Sequence, residues 1–291
     1  LTPTTDNPRA ALLFTGAVAA FTVNDAIVKG LAGLLAVPQI LLLRGLVLSA
    51  AYLVLFCARG EPVTAAGLRH PVNLLRGGIE ALISLCFFTG LQLLPLATSL
   101  ALFFTTPVFG TALGALVLGE RVGPRRWTAV LVGLLGVVVF LGVDHRGWSW
   151  PVVFPLVTAV LVAVRDAVTR RMPVAVPSST VATTTAIATA LVGLATLPLG
   201  WLPLSGPLLL VLLVSSAVSG VAFYLYILAT RLGELSYLAP FRFLGLPLGA
   251  VIGLVAWGDW PGVREWLGAA LITGSGLFIL RRERTLARSG R

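Results

Sequence analysis

The sequence predicts an all-α integral membrane protein of ten transmembrane helices, arranged as two inverted five-helix repeats, and three observations carry that expectation. Hydrophobic residues make up 57% of the 291 residues and charged residues only 11%, with a mean hydropathy of +0.98. Polar side chains are too scarce to cover a water-soluble globule. Apolar runs able to span a hydrocarbon core of about 30 Å follow one another ten times along the chain. Patterns from the first half return in the second at shifts of 139 and 141 residues, the mark of an internal repeat.

The expected spans are 10–31, 36–58, 72–93, 95–118, 126–143, 151–171, 179–201, 206–230, 235–257 and 263–280. Short connections rich in Gly, Pro, Trp or charge separate them, as at Arg59-Gly60-Glu61-Pro62 and Trp260-Pro261-Gly262. Short translocated loops are depleted in Arg and Lys, so the basic residues set the orientation. With a cytoplasmic N-terminus the inside segments hold Arg9, Arg59, Arg69, Arg121, Arg125, Arg126, Arg170, Arg171, Arg231, Arg281, Arg282, Arg284, Arg288 and Arg291. The outside loops hold only Lys29, Arg146 and Arg264. Both termini are therefore expected in the cytoplasm, which an even number of spans satisfies.

The net charge of +10 does not imply nucleic-acid binding, because the basic residues lie in short tracts between apolar runs rather than on one polar face. Cys57 and Cys86 sit unpatterned in apolar runs, so neither a disulfide nor a metal site is expected. No cofactor motif is present either. The first apolar stretch lacks a small-residue cleavage site before the second span and reads as a retained helix.

Gly119-Glu120 at the end of the fourth span meets Gly258-Asp259 at the end of the ninth, and Trp127 meets Trp266, under the 139 shift. Asn24-Asp25-Ala26 meets Arg165-Asp166-Ala167 under the 141 shift, with Lys29 meeting Arg170. The repeats are residues 1–145 and 146–291. Five is odd, so the second copy enters the membrane from the other side, and a pseudo-two-fold axis lies in the membrane plane.

Charged side chains inside spans are costly unless they face a cavity or a partner, which makes each a functional candidate. Asp25, Arg44, Glu80, Arg165, Asp166 and Arg242 qualify. Three are acidic and three basic, a balance that points to internal pairing or to a zwitterionic guest. From the rise per residue, Asp25 and Arg44 lie at similar depth in the outer half and are expected to meet. Arg165, Asp166 and Arg242 share a depth in the inner half and are expected to meet there. Asp25, Arg44, Arg165 and Asp166 are thus candidates for gating or coupling, or for ion pairs that fix packing.

Glu80 falls near the middle of the third span, where its repeat counterpart is the neutral Ser219. It is a candidate to dock a substrate ammonium group or to carry a coupling proton. The competing reading pairs it with Arg76 at i−4. Pro107 in the fourth span and Pro240 and Pro247 in the ninth interrupt helices at matching places, and a proline frees a backbone carbonyl that bends the helix or faces a ligand. Around them lie Phe103, Phe104, Phe109, Phe241 and Phe243, with Phe87, Phe88, Tyr224 and Tyr226 on neighbouring spans. Aromatic walls with a few polar groups suit a planar guest. Glu80, Arg242, Phe103, Pro107, Tyr224 and Phe243 are the candidate substrate-binding residues. Gly133 and Gly136 in the fifth span, and Gly268, Gly274 and Gly276 in the tenth, allow close helix contact.

The stretch Leu94–Leu141, with Pro107, Gly119-Glu120 and Trp127, resembles the repeat of the EamA drug/metabolite exporters of the drug/metabolite transporter superfamily. Residues 239–261, Trp266-Leu267-Gly268 and Arg282-Glu283-Arg284 are similar to its second copy, with Asp259 where the family has Glu. The resemblance implies export of metabolites by alternating access. It also implies fifth and tenth helices acting as a peripheral brace, and spans one, three, four, six, eight and nine around the cavity. Among such proteins, aromatic amino acid exporters of the YddG type fit the paired charges and many rings. Riboflavin, S-adenosylmethionine, nucleosides, other amino acids and toxic cations are the alternative substrates. No phosphate-cradling GxxxxGK[ST] is present, so the chain is not itself an ATP-driven pump. No clustered nucleophiles or HExxH point to an enzyme. The partners expected are a small-molecule substrate and the lipid bilayer, with a monomer as the working unit.

Overall fold

The computed structural model describes residues 7–116, 124–142, 149–169, 172–173, 175–232 and 239–288. The pairs Gly119-Glu120 and Arg170-Arg171, the repeat boundary at 145/146 and the junction near 233 lie outside the described residues. Lipid offers no partners to backbone polar groups, so spanning segments must satisfy them internally. The described chain does this with helices alone: α1 (Asn7–Gly30), α2 (Val37–Ala58), α3 (Ala65–Leu68), α4 (Pro71–Leu93), α5 (Leu96–Phe103), α6 (Thr106–Leu116), α7 (Pro124–Leu141), α8 (Val153–Thr169), α9 (Ser178–Thr196), α10 (Gly206–Leu232), α11 (Gly245–Trp257) and α12 (Val263–Arg288). Short 3₁₀ segments cover Trp150–Val152, Leu197–Leu199 and Ala239–Leu244. Among the described residues, seven segments are long and apolar enough to cross a bilayer, and two shorter apolar helices, Trp127–Leu141 and Phe241–Trp257, lie in the order expected for the fifth and ninth spans. With α12 the ten expected spans are accounted for.

Prolines and small turns set the ends. Pro38 and Pro71 occupy the first turns of α2 and α4, where no N–H is needed. Gly258 closes α11 with φ 73°, a left-handed conformation that favours glycine, and its N–H bonds back to Leu254 O at 3.0 Å. The Gly262 N–H meets the Glu265 carboxylate at the start of α12. Two features differ from expectation. The short α3, capped by Thr64 Oγ1 accepting from the Gly67 N–H at 3.2 Å, sits in the loop after the second span. The last helix runs on past residue 280 to Arg288, through a polar stretch whose residues are good helix formers.

The fourth span is broken into α5 and α6, as Pro107 requires. Its missing N–H leaves Phe103 O without the usual helical donor. Thr106 Oγ1 donates to that carbonyl at 2.6 Å, and Thr105 Oγ1 donates to Leu102 O at 2.6 Å. The freed carbonyl is therefore bonded within the bend. The ninth span repeats the theme, with the 3₁₀ turn at 239–244 passing directly into α11.

The most extensive helix contacts are α1 with α10, α2 with α9, α4 with α8 and α7 with α12. In the order of the spans these are one with eight, two with seven, three with six and five with ten. Exchange of the two halves turns the first pair into the third and leaves the other two unchanged.

Glycines make the two self-paired crossings possible. A Cβ at Gly193 would collide with the backbone N of Leu42 and the carbonyl of Pro38, and one at Gly45 would collide with the Ala190 backbone. On the other pair, Gly268 faces the Phe140 backbone and Gly136 faces Gly268 O and Ile272 N, each 3.0 Å from a built Cβ. Gly133, Gly136 and Gly268 thus act as expected. Gly274 does not: it faces open space, while Gly276 lies against the Phe243 ring. Gly193→Val is expected to abolish monodisperse protein in detergent by size-exclusion chromatography. Gly274→Ala should elute as the parent does and melt within about 1 kcal/mol of it.

Candidate functional site

α4 and α8 lie side by side and carry the charges of the inner half of the bundle, the end at which α1 begins and α12 finishes. Arg165 Nη1 donates to both Glu80 carboxylate oxygens, at 2.9 and 3.2 Å. Its Nη2 and Nε donate to Asp166 Oδ1 at 2.8 and 3.0 Å. Arg76, one turn before Glu80, lies 3.6 Å from the same carboxylate and donates to Thr185 Oγ1 of α9 at 2.7 Å. Two cations and two anions cancel, which removes most of the cost of placing them in a membrane. The Asp166 side chain is 51% exposed, and a carboxylate so placed must face water rather than lipid tails.

A second polar group joins α1, α2 and α10. Arg44 Nη1 donates to Asn24 Oδ1 at 3.1 Å, Ser215 Oγ donates to the same oxygen at 2.8 Å, and Asn24 Nδ2 donates to Asp25 Oδ1 at 3.3 Å. Arg44 and Asn24 are buried and Asp25 is half-buried. The guanidinium also lies 5.1 Å over the Phe88 ring. From Phe88 a row of rings continues through Phe87, Phe103 and Phe104 to Phe243, with centroid spacings of 6.5, 5.2, 5.7 and 5.4 Å. The row crosses from α4 over α5 to the 3₁₀ turn of the ninth span.

Polar and apolar contacts draw the helices together at the opposite end of the bundle. Lys29 Nζ donates to Leu94 O at 2.7 Å and lies 5.2 Å over the Trp257 ring, tying α1 to the α4–α5 link and to α11. Gln39 exchanges two hydrogen bonds with the Leu202 backbone, at 3.0 and 3.2 Å. Leu31, Leu35, Ile40, Leu41, Leu91, Leu96, Leu141 and Leu212, among the largest fully buried side chains, gather at this end.

The expected ion pairs are re-partnered. Asp25 and Arg44 do meet in one cluster, but the Asn24 amide stands between them. Arg165 and Asp166 meet Glu80 and Arg76 instead of Arg242, because α4, not the ninth span, runs along α8. Glu80 pairs with Arg76 as its competing reading had it, but Arg165 is the nearer partner. Arg242 is half-buried on the 239–244 turn and among the described residues joins neither cluster. Phe103 and Phe243 lie in the ring row, and Pro107 shapes the break beside it. Tyr224 is not brought to the site: its ring is 43% exposed and carries the Arg59 guanidinium at 5.2 Å. Asn24, Ser215 and Lys29 were missed as site residues. The signal for Asn24 was available, since a mid-span amide is costly for the same reason as a mid-span charge.

The sequence matches the EamA-like transporter family over residues 8–142. It is 32% identical over 207 residues to a riboflavin transporter of Rhizobium johnstonii, covering 71% of this chain and 67% of that one. The chain belongs to the EamA-like transporter family. Other EamA-related similarities are to an S-adenosylmethionine uptake transporter of Rickettsia prowazekii, 25% identical over 214 residues (73% of this chain, 72% of the relative), and to a pseudopaline exporter of Pseudomonas aeruginosa, 26% identical over 258 residues (87% and 89%). A protein of known crystal structure superposes with a TM-score of 0.61 at 25% identity, covering 94% of this chain and 98% of its own. This EamA protein is a multi-pass membrane protein, as the composition required.

The Glu80–Arg165 pair is open to a direct check. Glu80→Ala and Arg165→Ala should each lower thermal stability in detergent. The double variant should be less destabilised than the sum of the two, by a coupling energy of about 1 kcal/mol as expected for a partly exposed pair.

Proposed function

We propose that this chain is a secondary transporter that carries a small ring-bearing metabolite across the bacterial inner membrane by alternating access. It acts as a monomer with both termini cytoplasmic. The observation that carries this reading is the row of five phenylalanine rings that starts at the buried Arg44 guanidinium and crosses between the two halves of the chain. Aromatic surface beside a few polar groups is what a planar solute requires. The relatives named for riboflavin and S-adenosylmethionine both handle solutes with a heteroaromatic ring. Together with the pseudopaline exporter they favour the alternative substrates over the YddG-type export of aromatic amino acids, to which they lend no added support.

Residues 1–145 and 146–291 form the two inverted repeats, supported by the four most extensive helix pairings, a set that exchange of the halves leaves unchanged. Phe103 and Phe243 contact the guest ring, and the break at Pro107 lets the two halves of the fourth span change their angle. Glu80, Arg165 and Asp166 gate the inner mouth. Lys29 and Gln39 hold the outer mouth shut in the conformation described here. The excess of basic residues at the end that carries the termini supports the cytoplasmic orientation.

The test is flux into liposomes holding the purified protein, with labelled riboflavin, S-adenosylmethionine and tryptophan beside ring-free alanine. At least one ring-bearing solute should move saturably while alanine does not. Phe103→Ala and Phe243→Ala should each raise its KM about tenfold, the loss of roughly 1.4 kcal/mol of ring contact. Flux that does not saturate, or that favours alanine, overturns the proposal.

A further inference from the structure

We propose that the end of the α7–α12 pair at which α7 begins and α12 finishes is a binding surface for the head group of an anionic phospholipid in the leaflet on that side of the membrane. The inference is independent of which solute the chain carries.

The register of the crossing gathers the charges. Gly133 lies against Ser275, Gly136 against Ile272, and Gly268 against Phe140, so the two helices run antiparallel. Carried two turns further toward the start of α7, the same register sets Arg125 and Arg126 level with Arg282 and Glu283. Arg281 and Arg284 flank that level, and Arg288 follows one turn beyond. Six arginines and one acid thus occupy the end of a single helix pair. The sequence just before α7 does not offset them, since its Glu120 and Arg121 cancel. Membrane orientation calls for basic residues on this side, but not for their concentration at one crossing. At the same end of the other self-paired crossing, α2 stops at Arg59 and α9 starts with the uncharged Ser178-Ser179-Thr180.

Like charges so gathered repel one another unless an anion lies among them. The length of α12 says at what depth that anion is found. Its apolar part gives way at Arg281 and the helix continues to Arg288, about 12 Å further at the rise of an α-helix. A head-group layer is roughly 5–8 Å thick, so the arginine-bearing stretch passes through it from hydrocarbon to water. Arg281, Arg284 and Arg288 recur at three- and four-residue spacing, which is one face of a helix. Below that level Leu131, Leu134, Leu135 and Val138 of α7, with Leu267 and Phe278 of α12, are exposed apolar side chains, a surface for acyl chains to cover. Phosphate at the depth of the arginines with acyl chain beneath is the anatomy of a phospholipid, and basic clusters directly beyond a membrane helix hold anionic lipids.

The experiment is thermal unfolding of the purified chain in a neutral detergent with phosphatidylglycerol or cardiolipin added, against phosphatidylcholine at the same mole fraction. The anionic lipids should raise the midpoint by about 4 °C or more over phosphatidylcholine. Salt at about 0.5 M should remove most of that gain. The double variant Arg281→Gln/Arg284→Gln, in the part of α12 beyond the apolar span, should lower the gain by about half or more. Arg59→Gln/Arg69→Gln, which takes two charges from the same side of the membrane, should keep it. Equal midpoints in anionic and neutral lipid in the unmodified protein overturn the proposal whether or not a variant folds. An equal gain from soluble pyrophosphate overturns it too, because the anion is then no lipid. A gain that survives Arg281→Gln/Arg284→Gln and is lost in Arg59→Gln/Arg69→Gln overturns the placement on α7 and α12.

Discussion

The close approach of backbones at two helix crossings is the constraint on which the remaining architecture depends. In lipid no hydrophobic force draws apolar helices together, so they associate through short-range packing, and glycine brings that packing down to backbone contact. Gly45 and Gly193 do this reciprocally between α2 and α9, and Gly136 and Gly268 between α7 and α12. Each pair joins one helix from each half of the chain. The remaining spans carry the ring row, and the polar clusters reach from them onto this framework through Arg44 of α2 and Thr185 of α9.

The polar clusters show two different solutions to the same solvation problem. On α4 and α8 the charges neutralise one another by direct contact and stay partly wet. Between α1, α2 and α10 the cation is sheltered by an amide, a hydroxyl and an aromatic face. The first arrangement is stable in water-filled surroundings and easily exchanged. In the second, Arg44 and Asn24 are buried.

Much of the fold was legible because the membrane imposes a simple rule of length and polarity. The positions of the spans, the break at Pro107, the ends marked by Gly and Pro, and the close contacts at Gly133, Gly136 and Gly268 all follow from single-residue chemistry. The site was legible only as a set of residue types. Depth along a helix is readable from rise per residue, but azimuth and neighbour are not. That is why Arg165 was expected beside Arg242 and is found on Glu80, and why Tyr224 was expected in the cavity and is found under Arg59. Asn24 escaped notice because attention to formal charge passes over an amide whose burial is nearly as demanding.

The break in the fourth span has a mechanical consequence. At the α5–α6 junction Phe103 O, which Pro107 leaves without its helical donor, accepts from the Thr106 hydroxyl, and Leu102 O accepts from both the Thr105 N–H at 3.1 Å and the Thr105 hydroxyl at 2.6 Å. The junction is therefore a self-contained universal joint. Those hydroxyl bonds travel with it, so a tilt of α5 against α6 bares neither carbonyl to hydrocarbon, though it strains the bond from Ser99 Oγ to Gly90 O of α4 at 3.3 Å. Resistance to such a tilt comes from that bond, from ring packing and from the contact of Leu100 with Gly249 of α11. The ninth span, which bends through a 3₁₀ turn carrying Phe243 against Phe104, presses on the same rings from the other half of the chain. A swing of either joint is thereby felt by the other through the aromatic contact they share.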